Sequence, residues 1–473
     1  MILENGLVAL PGEPDFRRAS LRVEGERITE IAETICAAEG EEIVDARGFE
    51  ILPGAIDPHV HFDEPGFTHR EDFLHGTAEA AKGGVTTVID MPCTSLPPVT
   101  TVAALDNKLA AIGGKALVDY ALFGGVSGHT VEASLGHAGA GGMAELAPRV
   151  VGFKCYFISG MDSFTSVAAK DFARIVAEGE RLGRPILLHA EDLDYVTAAT
   201  ARIKAARGDA PAEWSDYADS RPEAAEIAAV ASALALSRGR EGSLHIVHVG
   251  TAEAASLVAG AGASCETCAH YLAFGREDFD TLGAALKTAP VVKSRAEREL
   301  LWSLLARGSI AFVASDHAPA PAFEKNTGDV WTAYGGIPGT GTMFPYLYSE
   351  GLRRGRLTLP RFLDAVSGSA ARRYGLAARK GSIAVGKDAD LVLVDPSAET
   401  IIRGARLLSK GRITPFDGMR LTGRALATYV RGRRVFDARV FDSHIFDSRG
   451  VGQDLPGIVA EPGYGRFLSW GYH

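Results

Sequence analysis

The stretch DPHVHFDEPG at residues 57–66 sets His59 and His61 two positions apart, with Asp57, Asp63 and Glu64 around them. On an extended strand, side chains two apart share a face, so both imidazoles can point the same way. Two imidazoles among carboxylates form a donor set for a divalent cation. Four later apolar runs end in residues of similar chemistry: Lys154 in VVGFKCYF, His189 in PILLHAE, His248 in SLHIVHV, and Asp316 with His317 in IAFVASDH. One such ending would mean little. Five that a fold could gather make a constellation.

Each residue also has a plainer reading. His245 and His248 are three apart, so a regular strand would turn only one inward, and His248, nearer the run's end, is the better ligand. His317 is either an outer support or a substrate contact. Lys154 either lays its stem along the strand with its head in water, or is a buried neutral amine that has taken up carbon dioxide as a carbamate. His69, His75, His129, His137, His444 and His473 read as hydrogen-bonded structural histidines. The pair in CETC, Cys265 and Cys268, reads as buried strand cysteines, because Cys36, Cys93 and Cys155 offer no second pair for zinc.

The elements that must position these residues follow from periodicity. Between Leu52 and Gly375 eight β-rich runs alternate with helical patterns at about 70–83, 101–113, 131–146, 166–183, 222–239, 251–261 and 294–308. That alternation predicts an α/β fold, a (β/α)8 barrel whose strand ends meet at one mouth. No GxGxxG or GxxxxGK[ST] motif favours a nucleotide fold. Short alternating strands on both flanks are expected to meet as one small β-sandwich. The expected division is 1–52 and 379–440 for the sandwich, 53–378 for the barrel, and 441–473 for a tail that packs on a neighbouring subunit or on its own barrel.

Composition narrows the function. The 473 residues are 46% hydrophobic and 23% charged, with a net charge of −10 and no long basic run, which argues against nucleic acid and membrane surfaces as partners. The N-terminus MILENGLVAL lacks the pattern of a signal peptide, and five scattered cysteines suit a reducing compartment, so a cytoplasmic protein is expected.

HxH on the first strand, a lysine on the fourth, histidines ending the fifth and sixth, and SDHAP on the eighth together resemble the amidohydrolase superfamily. With GGVTTVIDMP, HAED, CETCAHYL and KGSIAVGKDADLVLVD, nearly the whole chain is similar to the cyclic amidohydrolases: allantoinases, dihydroorotases, hydantoinases and dihydropyrimidinases. The resemblance implies two divalent metal ions, zinc by preference. His59, His61 and Asp316 would hold one, His189 and His248 the other, and N6-carboxylated Lys154 would bridge them. It also implies ring opening by a metal-bridging hydroxide, with Asp316 as the catalytic proton carrier, and assembly as a homodimer or homotetramer. Asp57, Asp63, Glu191 and Asp192 are candidates to orient the imidazoles.

Positions that contact substrate in these relatives discriminate further. Where dihydroorotases carry a carboxylate-gripping arginine, an asparagine and a histidine, this chain has Asp63, Thr288 (or Ala289) and Ala320; where hydantoinases carry a tyrosine, it has Ser159, with Tyr156 out of register. The GGI turn containing Gly336 and the segment SKGRITPFDGMRLTG are most similar to allantoinases, although HVGT and KTAPVVK depart from their usual motifs. The resemblance thus implies a small cyclic amide, with allantoin first, and Asp63, Ser159, Thr288 and Gly336 as substrate contacts. Hydantoinase-like or dihydroorotase-like hydrolysis is the alternative. A scaffold relative without activity would be expected to have lost ligands, yet all six positions are filled.

Overall fold

The computed structural model describes residues 1–136, 142–444 and 455–473; His137 and part of the expected helix at 131–146 lie outside the described residues. The N-terminal strands are β1 (Ile2–Val8), β2 (Arg17–Glu24), β3 (Arg27–Ala32), β4 (Ile43–Asp45) and β5 (Glu50–Pro53). The barrel staves are β6 (Ala55–Val60), β7 (Val85–Asp90), β8 (Asp119–Leu122) with its continuation β9 (Gly124–Gly125), β10 (Phe153–Tyr156), β11 (Ile186–His189), β12 (Leu244–Ile246), β13 (Ser264–Cys268) and β14 (Phe312–Ala314). Then come β15 (Leu391–Ile401), β16 (Arg420–Val430) and β17 (Arg433–Asp437).

All eight expected runs are staves, and neighbouring staves pair in parallel. The ring closes where Val60 bridges His317: His61 N–H donates to His317 O at 2.8 Å, and His317 N–H to His59 O at 3.3 Å. The last stave is thereby locked to the first at the level of the candidate residues. Alternation sorts the side chains. On β10, Phe153 and Cys155 pack outward in the large cluster beneath the helices, while Tyr156 joins Ile56, Ile89, Phe123, Leu187, Val247 and Phe312 in the barrel interior.

Most expected helices are present, among them Phe73–Lys82, Val102–Ile112, Ala169–Leu182, Glu223–Leu236, Ala252–Ala261 and Arg295–Ala306. Asp72, Thr101 and Ser294 cap three of them by accepting a backbone N–H three residues on. Helices Leu193–Arg207 and Trp214–Ser220, inserted after β11, were not anticipated.

The flanks meet as expected, in one sheet of order β17-β16-β15-β5-β1-β2-β3, with β4 on β1. Its inner face has a core of its own, including Leu3, Leu21, Ile28, Ile51, Leu391 and Tyr429. Gly54 alone separates β5 from β6, and a Cβ there would sit 2.1 Å from Thr86 Oγ1, so only glycine lets the flank pass this close to the barrel. Asp119 on β8 and Asp388 and Asp390 before β15 surround Lys380 Nζ at 2.5, 2.9 and 2.8 Å. That triad of acids is neutralised by Lys380 and by Arg431 against Asp119, so it tethers sheet to barrel. The described end of the tail, from residue 455, packs on its own barrel: Leu468 N–H donates to Tyr120 O at 2.7 Å, and the Leu468 side chain is fully buried in the interior cluster. No helix among the described residues is long and apolar enough to cross a membrane.

Candidate metal centre

The stave ends bring His59, His61, Lys154, His189, His248 and Asp316 together. Oδ1 of Asp316 lies 3.2 Å from Nε2 of both His59 and His61, and the ligand atoms of these three residues are mutually within 4.8 Å. Ring centroids run from His61 to His59 (5.4 Å), His59 to His248 (5.4 Å) and His248 to His189 (4.6 Å), making four imidazoles contiguous. Lys154 Nζ is wholly buried with no hydrogen-bond partner, and so is Nδ1 of His248.

Burial favours neutral His59, His189 and His248, whereas at His61 burial is outweighed by Cys93 and Asp316, which hold that imidazole up to about 10. Burial, then the Lys154 charge, holds His59 well below the ordinary imidazole range; burial, then His189, does the same for His248. Burial pulls the Lys154 amine down to about 8. It also opposes the Asp316 charge, but His59, His61 and His248 outweigh it and keep that carboxyl well below its usual range.

Outer partners fix which imidazole nitrogen faces the centre. His59 Nδ1–H donates to Glu266 Oε1 at 2.6 Å, and His189 Nε2–H to Glu191 Oε2 at 3.0 Å. Glu191 is paired in turn with Arg221; burial opposes its charge, yet Arg221 pushes it down to about 2. Of the four acids expected in this role, Glu191 alone meets an imidazole ring. Asp57 accepts the Ser315 N–H at 3.0 Å, Asp192 caps a helix, and Asp63 meets no imidazole.

Glu266 was missed. It is the acid inside CETC, and its signal was a carboxylate on the inward face of an apolar stave, which must find a partner. Its second oxygen lies 3.3 Å from His245 Nε2. His245 and His248 thus both face inward, against the strand-period expectation, because β12 ends at Ile246 and His248 adopts φ 40°, which turns its ring back. Asp316 (φ 48°) and Asp63 (φ 56°) share this left-handed backbone, which is uncommon outside glycine and concentrates at functional sites. Tyr156 was also passed over: it stacks on His189 at 5.2 Å, and its hydroxyl lies 3.0 Å from Cys93 Sγ, which approaches His61 Nδ1 at 3.8 Å.

The other residues singled out in the sequence take up these positions. Of the two readings of His317 the contacts fit the outer support: Nδ1 accepts from Gly339 and Thr340 at 3.2 and 3.3 Å, and Nε2 meets Glu71 at 3.1 Å, so it braces the loop behind Asp316. The Ser159 hydroxyl is spent within its own loop, donating to Phe164 O at 2.6 Å and accepting from Met161 N at 3.2 Å. Thr288 Oγ1 is buried without a partner, while its carbonyl accepts from the Tyr217 hydroxyl at 2.8 Å. Gly336 packs on Ala318, whose carbonyl oxygen would lie 2.2 Å from an added Cβ. Asp63 is fully buried, which pushes its carboxyl up to about 7 against the pull of His61 and Arg70. Cys265 and Cys268 are buried on β13 as unpaired thiols.

A family model described as the amidohydrolase family matches residues 51–435. The chain is 40% identical over 421 residues to an allantoinase of Rubrobacter xylanophilus, covering 86% of this chain and 90% of that one. It is 38% identical over 425 residues to a dihydroorotase of Halobacterium salinarum, covering 89% and 94%. Among solved structures, the L-hydantoinase (dihydropyrimidinase) of Arthrobacter aurescens superposes with a TM-score of 0.88 at 29% identity over 99% of both chains.

Proposed function

We propose that this chain, which belongs to the amidohydrolase family, is a hydrolase that opens the ring of allantoin to give allantoate. The observation that carries the reading is the convergence of six donor residues from five staves at the barrel mouth.

The residues fit a pair of divalent cations. Lys154 Nζ and His248 Nδ1 are buried polar atoms without partners, and the far nitrogens of His59 and His189 are committed to carboxylates, which frees the near ones. His59, His61 and Asp316 would hold one cation, His189 and His248 the other, and carboxylated Lys154 both; the nitrogen and oxygen donors suit zinc. When bound, the pair supplies a hydroxide at neutral pH and polarises a carbonyl.

The chain's own residues do the rest. Asp316, ionised and between two imidazoles, accepts a proton and delivers it to the ring nitrogen that leaves. Lys154, brought toward neutrality by burial, presents the form of the amine that combines with carbon dioxide, and the carbamate turns a repelling ammonium into an anionic donor. Glu266 and Glu191 hold His59 and His189 in their tautomers.

A dihydroorotase reading has the Halobacterium relative in its favour, but Asp63 would repel the carboxylate of dihydroorotate. Dimeric or tetrameric assembly and a cytoplasmic location complete the proposal, the first supported by the resemblance to cyclic amidohydrolases and the second by five unpaired cysteines. The test is turnover by the zinc-loaded protein of allantoin, dihydroorotate, dihydrouracil and substituted hydantoins. Allantoin is expected to open fastest. An inert allantoin beside another ring that opens quickly would overturn the substrate and keep the reaction class; no turnover of any ring would overturn both.

A further inference from the structure

His245 is a fully buried imidazole in the barrel interior that the ring-opening steps leave without a part. It stands on β12, where the parallel ladder pairs it with Ser264, the first residue of β13. Side chains two apart on a strand share a face, so Ser264 and Glu266 straddle the ring. Each takes one of its nitrogens: Ser264 Oγ lies 2.8 Å from Nδ1, and Glu266 Oε2 lies 3.3 Å from Nε2. The other Glu266 oxygen meets His59 Nδ1 at 2.6 Å. A single file of contacts thus runs His59–Glu266–His245–Ser264, from the candidate metal centre to a half-buried hydroxyl at the end of the stave opposite the mouth.

The donor roles follow from the end that faces the centre. With His59 Nε2 turned inward, Nδ1 carries the proton and donates to Glu266 Oε1. His245 Nε2–H then donates to Oε2, which leaves Nδ1 as an acceptor for the Ser264 hydroxyl. The alternative acceptor for that hydroxyl, Leu244 O, is farther away at 3.5 Å. The His245 ring is also held flat against the next stave: it stacks on Phe312 at 5.1 Å with the planes 11° apart, and Tyr374 meets it edge-on at 6.2 Å.

We propose that His245 and Ser264 are positioning residues for the metal centre: Ser264 fixes the His245 tautomer, His245 donates to Glu266, and Glu266 is thereby aimed at His59. This rests on the paired-cation reading above and carries it two residues deeper into the barrel. Without the N–H of His245, Oε2 of a fully buried carboxylate would lose a donor, and turning to find another would pull Oε1 away from His59.

The experiment measures zinc affinity, by competition with a chelator, in wild type, Ser264→Ala, Ser264→Thr, His245→Phe and Glu266→Gln, and in each of Ser264→Ala and His245→Phe combined with Glu266→Gln. His245→Phe keeps a ring against Phe312 and loses the N–H; it is expected to weaken binding about tenfold, the lower end of what a ligand's outer partner contributes, and Ser264→Ala about threefold. Ser264→Thr keeps the hydroxyl and should stay close to wild type. In the Glu266→Gln background neither substitution should weaken binding more than about twofold further, because the path to His59 is already cut. Losses that add in full to that of Glu266→Gln, or wild-type affinity in both single variants, would overturn the positioning role while the metal centre stands. Should His245→Phe fail to fold, the Ser264 variants decide: equal affinities with alanine and threonine would overturn the role. A wild type that takes up no zinc overturns the paired-cation reading as well.

Discussion

Lys154 concentrates the chemistry of this protein in one side chain. A fully buried amine with no hydrogen-bond partner is tolerable only if it loses its charge or gains a partner, and a carbamate bound to cations does both. Lys154→Ala is therefore expected to abolish turnover, with partial recovery when a small carboxylic acid is supplied, as read by steady-state assay. Carbamate formation needs the neutral amine, and the folded-state pKa of about 8 lies below lysine's ordinary value. Reactivation of metal-free protein by zinc and bicarbonate should accordingly rise as pH increases through about 8, and a flat profile would count against the carbamate. Glu266 acts one step further out, through His59. Glu266→Gln should weaken zinc affinity by about 10–100-fold, measured by competition with a chelator, since a partner that fixes a ligand's tautomer commonly contributes that much.

At the scale of elements, strand ends and the loops that follow them decide the site. The loop around Gly336 returns beside β14, where Ile337 bridges His317, and Lys287 and Lys325 hold its carbonyls. A methyl group at Gly336 would stand 2.2 Å from Ala318 O and 2.9 Å from Tyr334 Cε1, so the loop must move. Gly336→Ala should lower stability by about 1–3 kcal/mol, the usual range for overpacking, and, if Gly336 contacts substrate as proposed, raise KM more than it lowers kcat, because it is not one of the six donors. Thermal melts and steady-state kinetics check the two halves separately.

The whole molecule closes its barrel twice, at the mouth through the Val60–His317 bridge and at the floor through the tail. Leu468 fills the floor beside Phe123 and Tyr374, fully buried. Leu468→Ala should therefore cost about 2–5 kcal/mol of unfolding free energy by denaturant titration, a core cavity's price, far from the reacting atoms. Bound metal should remain at about two equivalents per chain in that variant, the number expected for a paired centre.

The sequence by itself determined the staves, their order and the donor set, because those depend on local periodicity: a period of two chooses a face, and a run's end chooses the mouth. His59 and His61, Lys154, His189 and Asp316 were legible for that reason. Only the closed barrel decided the rest. His59 and Glu266 are 207 residues apart and meet across the interior, the inward turn of His248 is a backbone angle past the end of β12, and the Ser159 hydroxyl and the His317 ring are claimed by loops whose paths no spacing records. Pairing between distant staves and the dihedrals where strands stop are set by closure of the ring, which is a property of all the staves together.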